Sequence, residues 1–280
     1  MNRSTRIAYL DCFSGVSGDM LLGSLISSGL PVEQLERELA GLHFKPFDFI
    51  VSEKKVQMLS AVAVKIVPRE KQHFRNLNDI VAILEQSSLN PLIVKRSLAV
   101  FRRLAEAEAA VHGMPVGQVH FHEVGAFDTI IDVVGTICGL QLLGISEIHC
   151  SPLPVGRGFV RCAHGMVPLP APAVCQLLAG IPIYGIDGEK ELVTPTGAAL
   201  VAELVDHFGN LPPMVIDSTG YGAGHHQGTE DRPNLLRLIT GKTETVTEAQ
   251  QVLVIETNLD DWNPETFPFL CTRLFNSHAL

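Results

Sequence analysis

The chain has 280 residues, 46% hydrophobic and 18% charged, enough for a real core and unlike a disordered or collagen-like polypeptide. Lys and Arg number 21 against 30 Asp and Glu, a formal net charge of −9, which argues against general nucleic-acid binding because an acidic surface repels phosphate backbones. At roughly 150 residues per domain, the length fits one or two domains. The most apolar stretch, Ile130 to Ile145, is interrupted by Asp132, three glycines and Gln141, so no membrane span is expected. Asp11 follows Ile7–Leu10 too soon for a secretory core. The six cysteines include no C-x-x-C pair and read as reduced, mostly buried thiols of a cytoplasmic protein.

Strand-like and helix-like segments alternate, which predicts an α/β, mixed α+β fold: a mixed sheet flanked by helices. Ile7 to Phe13 reads as a buried strand, followed by a Ser-Gly loop and a helix from Asp19 to Ser28 that stops at Gly29. Phe47–Ser52 and Leu59–Val67 read as a strand pair, the second alternating Val62, Val64 and Ile66 with small or polar neighbours. The next long helix is punctuated at both ends: Asn90 as cap, Pro91 in the first turn, Gly113 at the C-terminal cap and Pro115 beyond. Its apolar stripe Val94, Leu98, Phe101, Ala105 turns polar at Glu108 and His112. Residues 151–172, rich in Gly and Pro, predict loops and short strands. A helix is expected over Ala198–His207, and strands over Met214–Ser218 and Leu235–Ile239. This divides the chain into an α/β domain over 1–240, a linker over 241–251 and the start of a truncated second domain over 252–280. That start holds a strand from Val252 to Thr257 and a helix after Asn263-Pro264. Phe267, Phe269, Leu270, Leu274 and Phe275 would leave an apolar patch there.

The densest set of ligand-type side chains is His120-Phe121-His122-Glu123, followed by Asp128 and Asp132. On an extended segment His120 and His122 point to the same side. On a helix starting near Ala126, Asp128 and Asp132 stand one turn apart near its positive end. Two imidazoles and two carboxylates suit a divalent metal such as Ni, Zn, Co or Mn; core hydrogen-bonding histidines and helix-capping aspartates are the alternative. Between the first strand and helix, Ser14-Gly15-Val16-Ser17-Gly18-Asp19 offers backbone N–H groups at a helix start, which suits a phosphate. A tight turn capped by Asp19 is the alternative. Thr194-Pro195-Thr196-Gly197 is a second helix-opening turn with hydroxyls. Cys162 and His164 share a side if extended. Gly220-Tyr221-Gly222-Ala223-Gly224-His225-His226 reads as a mobile loop able to close over a ligand, with Arg232 nearby as an anion clamp. Cys12 reads as a buried hydrophobe.

Several segments together resemble one family. YLDCFSGVSGDMLLGSL, VHGMPVGQVHFHEVGAFDTIIDVVG, GRGFVRCAHGMVPLPAP, ELVTPTGAAL, RPNLLR and NLDDWNPE are similar to the nickel-insertion (LarC-type) proteins of nickel-pincer nucleotide biosynthesis, which mature the cofactor of lactate racemase. The resemblance implies a cytoplasmic nickel insertase of the lyase class, acting on pyridinium-3,5-bisthiocarboxylic acid mononucleotide. Its product holds nickel through two sulfurs and one ring carbon. The resemblance also implies CTP with Mn2+ or Mg2+, bound through a region past the N-x-D-D-x-N-P-E segment. The sequence stops soon after Pro264-Glu265, so a frameshift product or a shortened reading frame is expected, with CTP-dependent chemistry needing a separate C-terminal polypeptide.

Such a reaction must remove a ring proton and seat the metal between two thiocarboxylates. Glu123 and Asp19 are accordingly assigned to catalysis, and His120, His122, Asp128 and Asp132 to the metal. Ser14, Gly15, Ser17, Gly18, Thr194, Thr196, Gly197 and Arg232 are assigned to the substrate and its phosphate, with Glu108, His112 and His164 further out. The partners expected are the precursor nucleotide, a C-terminal polypeptide and a second copy in a homo-oligomer, with no nucleic acid or membrane. A nickel-delivery protein without turnover and a metal-dependent phosphoesterase are the competing functions.

Overall fold

The computed structural model describes residues 5–44, 47–69, 75–121, 127–162, 165–225, 228, 232–243, 256, 260 and 263–277. The chain divides into two compact units, Met1–Glu244 and Thr245–Leu280. The first half of the chain runs β1 (Arg6–Asp11), α1 (Gly18–Ser27), α2 (Val32–Ala40), β2 (Phe47–Val56), β3 (Leu59–Pro68), β4 (Arg75–Asn76), α3 (Leu77–Glu85), α4 (Pro91–His112), β5 (His120–Phe121) and α5 (Phe127–Leu142). Then follow β6 (Glu147–Cys150), β7 (Leu153–Val155), β8 (Phe159–Cys162), β9 (Gly165–Pro168), α6 (Pro172–Leu177), β10 (Ile183–Gly185), α7 (Pro195–Leu204), β11 (His207–Phe208), β12 (Met214–Ala223), β13 (Leu235–Thr243) and α8 (Phe267–Asn276).

The main sheet has seven strands in the order β11-β6-β1-β13-β12-β3-β2. β1 pairs in parallel with β6 and antiparallel with β13, which makes the fold a mixed sheet, as expected. Ala8, Leu10 and Cys12 alternate along the chain with Ile7 and Tyr9, as side chains on a pleated strand must. The first three join Leu236 and Leu238 of β13 in the main core with α1, α4 and α5. A smaller cluster forms around Ala61, Ala223 and Leu235.

Local chemistry sets the helix ends. The Asn90 side chain accepts from the Leu92 amide at 2.9 Å, Pro91 occupies the first turn of α4, and Gly113 ends it in the left-handed region at φ 62°. Asn76 and Asp79 form a reciprocal capping box on α3. α7 begins at Pro195 and ends at Leu204, earlier than expected; His207 lies instead in β11, paired in parallel with β6. β13 runs to Thr243, so Gly241–Thr243 are strand rather than linker.

Glycine spacing seats α1 on the sheet. A Cβ at Gly222 would lie 1.8 Å from the Met20 carbonyl oxygen, and one at Gly220 would lie 2.2 Å from that of Ser24. From the other side, a Cβ on Gly23 of α1 would meet the Val62 oxygen at 2.5 Å. The Gly220–Ala223 segment is therefore not the mobile loop its composition suggested. It is the inner half of β12, and its glycines serve close helix–strand approach.

The strand expected over Val252–Thr257 lies outside the described residues. In the second unit Phe267, Phe269, Leu274 and Phe275 of α8 are exposed and Leu270 is half-buried. Among the described residues, no helix is long and apolar enough to cross a membrane. Cys12, Cys138 and Cys150 are buried and free, Cys175 is exposed and Cys271 is intermediate.

Candidate functional site

The loop from Ser14 to α1 is pinned rather than open. Val16 donates to the Leu192 carbonyl at 2.9 Å, and the Thr194 amide donates back to Val16 at 3.1 Å. Gly15 sits at φ +96°, where a Cβ would strike the Leu192 oxygen at 1.9 Å, so only glycine fits. Gly197, in the first turn of α7, faces the same loop: its Cβ would stand 2.3 Å from the Val16 oxygen. The Thr194 hydroxyl accepts from the Gly197 amide at 3.2 Å, capping α7. The two helix-opening turns read separately in the sequence are thus one structure, with the starts of α1 and α7 side by side. Ser14 is 1% exposed, and its hydroxyl has no hydrogen-bond partner among the described residues.

At the start of α1 the charges converge. The Ser17 hydroxyl donates to Asp19 Oδ1, and His225 Nδ1 lies 2.6 Å from Asp19 Oδ2. Asp132 packs directly on Gly18, where an added Cβ would meet Asp132 Oδ2 at 2.5 Å and its Cβ at 2.7 Å. Asp132 Oδ1 is shut from solvent and makes no hydrogen bond among the described residues. Burial pushes the Asp132 carboxyl well above the usual carboxylate range, and the charges of Asp19 and Asp128 push it further. Asp128, one turn earlier on α5, is exposed and accepts from the Thr129 amide at 2.8 Å. The hydrogen bond to Asp19 raises the His225 pKa above the ordinary imidazole value; burial lowers it, as do Lys54 and Lys65.

The structure therefore brings Asp19, Asp128 and Asp132 into one electrostatic neighbourhood, with Ser17 and Gly18 at its edge. Thr196 and Arg232 are half-buried. Glu108 and His112 pair with each other on α4 at 3.3 Å. His120 lies in β5, opposite Asn76 of β4. The side chain of His120, and His122, Glu123 and His164 altogether, lie outside the described residues. Among the described residues no three His, Cys, Asp or Glu side chains are arranged to hold one metal ion.

The sequence reading gives His225 no role of its own beyond the glycine-spaced segment; in the structure it stands just after β12 and meets Asp19. Its only sequence signal was a histidine immediately after closely spaced glycines. Cys12 matches its expectation. It is buried, its sulfur lies 3.6 Å from that of Cys150, and the hydrogen bond with that thiol, together with burial, raises its pKa well above the ordinary value.

The sequence model of the nickel insertion protein family matches residues 8–280. A Desulfotalea psychrophila protein, whose name includes the words nickel insertion protein, is 54% identical over 278 residues, covering 99% of this chain and 71% of that protein. A Citrifermentans bemidjiense protein with the same words in its name is 49% identical, covering 98% of this chain and 71% of its own length. A Desulfitobacterium hafniense protein named pyridinium-3,5-bisthiocarboxylic acid mononucleotide nickel insertion protein is 44% identical over 281 residues, covering 98% of this chain and 69% of its own. No solved structure matches the chain.

Proposed function

The chain belongs to the nickel insertion protein family, and on that premise we propose that it inserts nickel into pyridinium-3,5-bisthiocarboxylic acid mononucleotide. The name of the Desulfitobacterium hafniense relative supports this substrate. The observation that carries the reading is the state of Asp132. Its carboxyl is buried against Gly18 beside two further aspartates, with one oxygen lacking any partner among the described residues. A carboxylate held that way gains most from a divalent cation, because the cation supplies the charge that its surroundings withhold. Asp132 and Asp128 would take nickel, a substrate here, joined by His120 and His122. Glu123 is a further proton acceptor in this reading.

The precursor's phosphate is assigned to the paired starts of α1 and α7, because helix N-termini favour an anion. Arg232 would neutralise the anion. The product then carries nickel on two sulfurs and one ring carbon, the form used by enzymes of the lactate racemase type. The CTP and Mn2+ or Mg2+ of the family reaction are assigned to residues past Pro264-Glu265. A C-terminal polypeptide and a second copy of the chain are proposed partners, and the cytoplasm is the proposed compartment.

The test combines calorimetry of nickel binding with mass-spectrometric detection of nickel-bearing nucleotide, with and without CTP and Mg2+. The reading expects Asp132→Asn and the His120→Ala, His122→Ala pair each to lower nickel affinity at least about tenfold, or about 1.4 kcal/mol, while the fold survives. Unchanged affinity in both would overturn the metal assignment. Nickel binding without product under any condition would favour delivery over insertion, and phosphate release from simple esters would favour a phosphoesterase.

A further inference from the structure

We infer that His225 is the base that takes the ring proton when the nickel–carbon bond forms, and that Asp19 is its positioning residue; this deepens the proposed nickel insertion and rests on it. A carboxylate can only accept, so the 2.6 Å contact between His225 Nδ1 and Asp19 Oδ2 assigns the ring hydrogen to Nδ1. In the neutral ring the lone pair is then on Nε2. The pair is asymmetric in the way proton transfer needs. The Asp19 side chain is 15% exposed and held by the Ser17 hydroxyl, while the His225 side chain is 56% exposed. A shielded, fixed carboxylate thus orients an imidazole that a substrate can reach.

The surroundings hold this arrangement in place. Asp19 lies in the first turn of α1, which the glycines of β12 seat against that strand. His225 leaves the end of the same strand just after Gly224, whose carbonyl accepts from Lys54 Nζ at 3.2 Å. Among the described residues, the charged groups facing His225 are Asp19 from α1, Lys54 from β2 and Lys65 from β3. Asp19 stabilises the imidazolium that forms, and the two lysines oppose it, which keeps the ring able to release its proton afterwards. Asp132 packs on Gly18, the residue before Asp19, so the proposed nickel position and the base lie at the same end of α1.

The step balances without redox chemistry. The ring C–H bond breaks, its electron pair becomes the nickel–carbon bond, and the proton passes to Nε2 and then to water. Nickel remains divalent.

The test uses the full chain with Ni2+, the precursor nucleotide, CTP, Mg2+ and the C-terminal region of a full-length relative added in trans, following product by mass and exchange of the reacting ring hydrogen for deuterium in D2O. For His225→Gln the expected result is product formation and exchange each reduced about 100-fold or more, with nickel and precursor affinities within about twofold of the parent. For Asp19→Asn the acidic limb of the pH–rate profile moves to lower pH, because the carboxylate that raises the imidazole pKa is gone. The His225 ring resonances, followed by NMR, shift their titration in the same direction. Free imidazole restores part of the rate to His225→Gly. A His225→Gln rate within about threefold of the parent overturns the inference, and so does loss of nickel binding in that variant, which would make His225 a ligand. If the parent chain binds both ligands yet neither forms product nor exchanges the hydrogen, the proposed insertion fails. The Asp19–His225 coupling is then judged by NMR alone, where identical titrations in parent and Asp19→Asn overturn it as well.

Discussion

Gly18→Ala tests how tightly the start of α1 is built against α5. The added Cβ would stand 2.5, 2.7 and 2.9 Å from Oδ2, Cβ and Cγ of Asp132, whereas ordinary contact begins at 3.4 Å. Rotating the carboxylate relieves the first of these distances. The second involves an atom fixed to the α5 backbone, so the two helices must part by roughly 0.7 Å. Overpacking of this kind costs about 1–3 kcal/mol, and replacing glycine by alanine in a helix returns at most about 1 kcal/mol, less in the first turn. The net loss is about 1–2 kcal/mol, or roughly 2–8 °C in Tm for a unit of this size. Nickel affinity falls as well, because the Asp132 carboxylate is turned from its place beside Gly18. Calorimetric unfolding and nickel titration of Gly18→Ala are compared with Gly117→Ala, where the added methyl meets nothing within 4 Å. A Gly18→Ala chain that melts with the parent and binds nickel equally well would refute the reasoning.

Three further outcomes are expected. Gly222→Ala drives a methyl to 1.8 Å from the Met20 carbonyl oxygen, backbone against backbone, and should cost more than about 3 kcal/mol in urea unfolding; a parental midpoint would show that α1 does not sit on β12 as described. Iodoacetamide at pH 8 should label Cys175 and Cys271 in the native protein and spare Cys12, Cys138 and Cys150 until unfolding, and peptide mass mapping that finds Cys12 labelled as fast as Cys175 would contradict this. Burial, and secondarily the charge of Glu38, pushes the Cys138 thiol up to about 12. The folded chain therefore keeps this proton after the unfolded chain has lost it, so the associated stability is full below about pH 9 and is lost as pH climbs toward 12. Between pH 8 and pH 10 the parent should lose about 1 kcal/mol more than Cys138→Ala; equal losses would rule this out.

What the sequence disclosed and what it hid divide along a physical line. α4 was legible because Asn90, Pro91 and Gly113 act through bonds within a few residues of themselves. The β2–β3 hairpin was legible because alternation is a property of the strand alone. The helix expected over Ala198–His207 was misjudged at its end because residues 207–208 answer to β6, a partner distant in the chain. Glycines 220 and 222 were misjudged for a similar reason. A glycine signals either freedom or crowding, and only the presence of α1 at carbonyl-contact distance shows which. The site divides the same way. Asp128 and Asp132 at helical spacing were visible, as was the hydroxyl-rich turn at Thr194. The Asp19–His225 contact spans 206 positions, and Asp132 reaches the first turn of α1 from another helix, so no spacing rule connects them.

The position of β1 also bears on how the protein is made. Of the strands in the main sheet β1 leaves the ribosome first, yet it is an interior strand, and its partner on one side, β13, is the last of them to be synthesised: Ile7 pairs with Gly241. Until residues 235–243 emerge, one edge of β1 has unfilled backbone donors and acceptors, an invitation to pairing between nascent chains. Contacts this distant in sequence slow folding, since a long loop must close before any of them forms. Deletions that reach back into β13 should therefore yield insoluble protein even though every proposed metal ligand and nearly the whole α/β unit are still present. The first unit is thus committed to folding late, after almost all of it has been translated.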